Sequence, residues 1–201
     1  MTNDPHAVVP PPGFVDLTET DGIVVDLRYA STNNFVGRVI YDGFDRLMLH
    51  ELAAAKLISA IVALRQIRPD LRLLVFDGFR PNRVQRLFWA VVRGTAEQQF
   101  VADPAIGSVH SFGLAVDLSL IDATGQVLDM GTDFDDFTER AEPRREADLL
   151  AQGALSELQV RNRMLLRTVM EAAGFLHLPI EWWHFDALPA DQVRRLFSLI
   201  E

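Results

Sequence analysis

Apolar positions recur at helical spacing between Arg46 and Arg68, where Ala54, Leu57, Ile58, Ile61 and Leu64 predict one long amphipathic helix that Pro69 and Asp70 end. Leu71 to Phe76 then reads as a short, mostly apolar strand. The turn from Asp77 to Pro81 feeds a second helix with Val84, Leu87, Phe88 and Val91 as its inner face. Pro81 suits the first helical position, because the N–H it lacks would have no partner there. Gly22 to Tyr29 carries strand-forming residues, and the polar run Ser31 to Asn34 after it reads as loop.

Gly113 to Leu120 alternates strictly, with Leu114, Val116, Leu118 and Leu120 on one side and Ala115, Asp117 and Ser119 on the other. That period predicts a half-buried strand with Asp117 on its less apolar face, followed by a hairpin turn at Asp122 to Gly125. Residues 133–148 are strongly polar and read as loop. A third helix is expected from Ser156 to Ala173, stopped by Gly174. Phe175 to Phe185 is aromatic-rich and strand-like, and a last short helix carries Val193, Leu196, Phe197 and Ile200 on one face. Residues 1–13 are Pro-rich and expected to be an irregular lead-in. The interleaving predicts one α+β domain over residues 1–201, with helices packed on a small, mainly antiparallel sheet.

Composition narrows what such a domain can do. With no cysteine, the chain has no disulfide, no thiol nucleophile and no thiolate metal site, so any metal must be held by His, Asp or Glu. A net charge of −9 argues against nucleic acid and anionic membrane surfaces as partners. The start of the sequence lacks the basic residues and apolar run of a secretory signal, and no stretch matches the ~18 apolar residues of a membrane span. A cytoplasmic protein is expected; oligomeric state is not legible.

Five histidines narrow the search further. His6 lies in the lead-in, His50 on the first helix without a partner at metal spacing, and His177 just before Pro179; all three read as structural. His110 sits in a small-residue loop running into the strand of Asp117, and His184 ends Glu181-Trp182-Trp183-His184. His110, Asp117 and His184 can supply the three ligands of an open zinc site, with Glu181 left over as a base. Residues three apart in an ideal strand point to opposite faces, so Glu181 and His184 meet in one site only if the backbone turns locally. A core histidine, a hairpin carboxylate and an aromatic strand fit the same spacing.

Five motifs in order carry a resemblance. They are Asp26-Leu27-Arg28-Tyr29-Ala30 with Asn33-Asn34-Phe35-Val36-Gly37, Phe76-Asp77-Gly78-Phe79-Arg80-Pro81, the run from Ser108 to Leu118, Met130-Gly131-Thr132-Asp133-Phe134-Asp135, and Glu181-Trp182-Trp183-His184-Phe185. Together they span the chain from about Tyr29 to Phe185, and the sequence resembles the D-alanyl-D-alanine dipeptidase family, the VanX-type zinc peptidases related to bacterial D,D-carboxypeptidases. The resemblance implies one Zn2+ per chain at the sheet, held by His110, Asp117 and His184, with Glu181 as the catalytic base. It further implies Arg80 as the stabiliser of the transition state, with Ser108 and Asp135 near the substrate's amino terminus and Tyr29 near the pocket.

The implied reaction is metal-assisted hydrolysis of the small-molecule substrate D-Ala-D-Ala to two D-alanines, serving vancomycin-type resistance or recycling of peptidoglycan fragments. The alternatives are a D,D-carboxypeptidase acting on stem peptides and a catalytically silent zinc-binding module. Two departures from the pattern bear on substrate fit: Phe112 stands where an Arg is usual, and the segment from Arg93 to Gly107 is short, which predicts a wider mouth.

Overall fold

A computed structural model describes residues 12–41 and 43–201. His6 and most of the expected lead-in lie outside the described residues. Five strands form the main sheet: β2 (Ile23–Val25), β4 (Leu71–Asp77), β5 (Ala115–Asp122), β6 (Leu176–Leu178) and β7 (Glu181–Asp186), in the order β2-β4-β5-β7-β6. Only the β2–β4 pairing is parallel; β4–β5, β5–β7 and β6–β7 are antiparallel. A separate ribbon pairs β1 (Phe14–Asp16) with β3 (Met48–His50). The architecture is therefore the expected α+β arrangement with a mainly antiparallel sheet.

The first long helix, α1, runs from Glu51 to Ile67 and buries Ala53, Ala54, Leu57, Ala60, Ile61 and Leu64. This stripe at intervals of three and four residues docks on the sheet, while Ile58, expected inward, is exposed. Its start was expected at Arg46; instead Met48–His50 pairs with β1, and the His50 Nδ1 accepts the Leu52 N–H to cap the helix. That cap satisfies one of the four N–H groups a helix start leaves open, and it makes His50 a structural residue as expected. The second helix, α2 (Asn82–Val92), has Pro81 as its N-cap, one position before the expected place. It buries Val84, Gln85, Phe88 and Val92, whereas Leu87 and Val91 face solvent.

Other departures follow from tertiary pairing. The expected strand at Gly22–Tyr29 shortens to β2, because Arg28–Ala30 turns into a 3-10 helix. The polar stretch 133–148 contains the start of α3 (Glu146–Ala151) as well as loop. The next helix, α4 (Glu157–Ala172), begins with a reciprocal capping box between Ser156 and Gln159. The final helix, α5 (Ala190–Leu196), buries Val193 but leaves Leu196 exposed.

Strand β5 was expected to be half-buried, yet all its residues up to Ile121 are buried. It lies between β4 and β7, so Asp117 and Ser119 are enclosed as fully as their apolar neighbours. A carboxylate enclosed in this way needs compensation by charge or hydrogen bonds. Asp117 therefore marks where the sheet carries something other than packing.

Candidate active site

Strand pairing places Asp117 directly opposite His184 on β5 and β7. His110 arrives from the short 3-10 turn Val109–Phe112 that precedes β5. Gly113 ends that turn with φ +69°, and a Cβ there would drive into the Phe14 ring on the β1–β3 ribbon, so only glycine lets the turn pack so closely. His110 and His184 are thereby brought together with Asp117, and one potential ligand atom of each lies within 4.8 Å of the others.

The far nitrogen of each imidazole is already engaged. His110 Nδ1 donates to the Gly78 carbonyl at 2.8 Å, and His184 Nε2 donates to Asp186 Oδ1 at 2.9 Å. Each ring consequently turns its other nitrogen inward: His110 Nε2 stands 3.3 Å from Asp117 Oδ2, and His184 Nδ1 stands 3.0 Å from Asp117 Oδ1. The two inward nitrogens are 3.2 Å apart. Two lone-pair nitrogens and a carboxylate converging in a buried place fit a divalent cation, and a histidine whose second N–H is tied to a carbonyl or carboxylate is the usual support for a metal ligand. Burial alone would raise the Asp117 pKa, but His110 and His184 outweigh it and hold the carboxyl well below its usual range.

Glu181 shares this site despite its spacing from His184. The β6–β7 register runs from Leu178 opposite Glu181 straight to His177 opposite Phe185, so Trp182, Trp183 and His184 have no partner on β6. The backbone irregularity shifts the alternation: Glu181, Trp183, His184 and Asp186 line one cavity, while Trp182 turns away and donates its indole N–H to Thr132. Burial pushes the Glu181 pKa up to about 7, with His184 opposing the rise and Asp117 adding to it. A carboxylate poised near neutrality can hold and release a proton.

Arg80 sits at the junction of β4 and α2, where Asp77 fixes its direction. Its Nε donates to Asp77 Oδ2 at 2.7 Å, its Nη1 to Gln85 Oε1 at 3.0 Å, and its Nη2 approaches Asp117 Oδ2 at 3.5 Å. The guanidinium also lies over the Tyr29 and Phe88 rings, at 5.3 and 5.0 Å from their centroids. Asp77 in turn accepts the Tyr41 hydroxyl at 2.6 Å.

Tyr29 lines the same cavity, and its hydroxyl donates to Asp135 at 3.1 Å. Asp135 has φ +61°, the one non-glycine residue in the left-handed region among those described. Burial, followed by repulsion from Asp117, raises its pKa well above the ordinary carboxylate range. Ser108 is buried and also lines the cavity, which encloses ≈ 250 Å³. Every site residue expected from the sequence is thus in the cavity or bonded to a residue that is.

Sequence reasoning missed Asp77, Gln85 and Asp186, which hold Arg80 and His184. Asp186 was within reach as the carboxylate two positions after His184 in a strand. The short 93–107 segment does not leave the mouth bare, since Gln99 to Ala102 line the cavity and Phe100 stacks on Phe137. Phe112 is buried in the hydrophobic core and does not line the cavity.

His177 pairs at the surface with Glu171, away from this centre. Among the described residues no helix is long and apolar enough to cross a membrane.

The family model for D-ala-D-ala dipeptidase matches residues 12–200. Among curated proteins, the chain is similar to a D-alanyl-D-alanine dipeptidase of Escherichia coli, with 35% identity over 81% of this chain and 77% of that protein. It is similar also to a D-alanyl-D-alanine dipeptidase of Enterococcus faecium, with 32% identity over 86% of this chain and 90% of the other. A third, from Synechocystis, is 31% identical over 73% of this chain and 71% of its own length.

Proposed function

The chain belongs to the D-ala-D-ala dipeptidase family of metallopeptidases, and from that membership we propose that it hydrolyses free D-Ala-D-Ala to two D-alanines, using one zinc ion held by His110, Asp117 and His184. The observation that carries this reading is the convergence, in one ≈ 250 Å³ cavity, of a three-ligand cluster, a carboxylate with its pKa near 7 and a buried guanidinium. A purely structural zinc usually has a closed four-ligand shell and needs neither of the last two, which disfavours a silent metal-binding module. When bound, the ion supplies Lewis-acid polarisation of the scissile carbonyl and makes the attacking water acidic enough to ionise near neutrality.

The chain's own residues supply the rest. Glu181 takes the proton of the attacking water and passes it to the departing amine nitrogen. Arg80, oriented by Asp77 and Gln85 before substrate arrives, stabilises the negative charge that develops on the carbonyl oxygen. Asp135, aimed by the Tyr29 hydroxyl, receives the substrate's ammonium group, and that cation favours its ionised form despite burial. The Ser108 hydroxyl offers a further hydrogen bond at the amino end. The cavity is smaller than the ~300–1,000 Å³ of sites for drug-sized ligands, which suits a dipeptide better than a stem peptide.

In the cell, a cytoplasmic enzyme of this kind removes a wall precursor or recycles wall fragments. A substrate panel tests the reading. The zinc-loaded protein, at about one ion per chain, is expected to release D-alanine from D-Ala-D-Ala and to leave L-Ala-L-Ala, the N-acetylated dipeptide and a stem pentapeptide intact. Cleavage of the pentapeptide in preference to the dipeptide would make the protein a D,D-carboxypeptidase. A zinc-loaded protein inert toward all four would make it a silent module.

A further inference from the structure

Two arginines reach the cavity, and they differ in how much of their charge is already matched. Arg80 is committed, with Asp77, Gln85 and Asp117 around its guanidinium. Arg194, on α5, is not. Its Nη2 donates to the Gly107 carbonyl at 3.2 Å, its Nε is buried without an acceptor, and no carboxylate among the described residues pairs with it. Ala190, one helical turn earlier, lines the same cavity, so the two residues share a helix face. Val193, fully buried beside Arg194, fixes the rotation of α5 that presents this face.

Three carboxylates at the cavity have partners of their own, and the fourth, Glu181, is the base of the proposed reaction. Asp117 faces the two imidazoles, Asp186 accepts from His184, and Asp135 accepts from Tyr29. A free dipeptide brings a carboxylate as well as an ammonium, and burying that carboxylate requires a cation or several donors. A guanidinium with one donor used and the others open matches a carboxylate through paired N–H···O bonds.

Resting on the dipeptidase reading, we infer that Arg194 binds the C-terminal carboxylate of the substrate and makes a free C-terminus a condition of tight binding. The residue does not touch the scissile bond. Its contribution is made equally in the bound substrate and in the transition state, so its loss falls on KM and not on kcat.

The test compares D-Ala-D-Ala with D-Ala-D-alaninamide, in which the carboxylate is replaced by a neutral amide, on zinc-loaded wild type, Arg194→Met and Arg194→Lys. The wild type is expected to prefer the acid over the amide in kcat/KM by on the order of tenfold or more, as for one charge-assisted pair. In Arg194→Met that preference collapses, through a raised KM for the acid. Arg194→Lys, which keeps the charge but not the fork, recovers part of the preference. Thermal melting and zinc content check that each variant is folded.

An Arg194→Met variant that keeps the wild-type preference overturns the assignment. So does one that loses kcat on both substrates alike, since that is the signature of a displaced Gly107 loop. A wild type inert toward D-Ala-D-Ala overturns the dipeptidase reading, and this inference with it.

Discussion

On the floor of the cavity, Asp117, His184 and Glu181 stand on paired strands, and His110 stands on the turn that leads into one of them. On its wall, Tyr29 and Asp135 meet across 106 residues of sequence, one from a 3-10 turn and the other from a loop. The floor has each imidazole tied at its far nitrogen, and its geometry is set by backbone pairing. The wall is set by side-chain contact, including edge-on packing of Tyr29 against Phe35, and by the left-handed backbone of Asp135. Pairing fixes atoms to within the tolerance that a metal and a proton transfer demand, whereas aromatic packing shapes a space. Damage to the floor should therefore appear in turnover, and damage to the wall in substrate binding.

The largest expected effect is at Glu181. Replacement by Ala should lower kcat by on the order of 10²–10⁴-fold while the zinc content of the protein stays at one per chain. Loss of the ion with the side chain would instead make Glu181 a ligand and erase its distinction from His184. The same residue predicts the acid side of the pH profile. Below its pKa of about 7 the base is protonated, so kcat/KM falls about tenfold per pH unit there. A nearby cation favours the ionised form and moves this limb to lower pH.

Next comes Arg80, which borders both regions. For Arg80→Ala a loss in kcat on the order of 10²–10³-fold is expected, as for removal of one oxyanion donor. A purely KM effect would move Arg80 from the reaction to the wall. The smallest effect is predicted at Asp135. Asp135→Asn should raise KM for D-Ala-D-Ala roughly tenfold, the scale of one charge-assisted hydrogen bond, with kcat little changed. It should also narrow the gap between the free dipeptide and its N-acetylated form. A kcat loss as large as that of Arg80→Ala would show that floor and wall are not separable.

The same division governs what could be read from the sequence. Floor residues lie in short motifs on strands, and strands announce themselves by period and apolar content. The α+β class and β4 were legible on that ground, and Ser156 as the residue that starts α4 was legible from its capping side chain. The cluster of His110, Asp117 and His184 was legible through the ordered motifs of the family resemblance, because spacing alone fitted a core histidine equally well. The burial of both faces of β5 was not, because it depends on which strands flank it.

The start of α1 was missed for a related reason. Met48–His50 fits a helical pattern locally, and only pairing with Phe14–Asp16 makes it a strand. Supporting residues such as Gln85 are invisible in sequence, since they act on a guanidinium five positions away through a fold that sequence spacing does not show.

The interruption in β7 has a consequence for how sequence change alters this protein. Were the strand regular from Glu181 to His184, the carboxyl of Glu181 would emerge on the side away from the imidazoles, with every residue type unchanged. Substitution is thus not the only mutational route from a hydrolase to a mere metal holder. Deleting or inserting one residue at Trp182 or Trp183 changes the parity of the segment, which makes those two tryptophans a length gauge as much as a pair of packed rings.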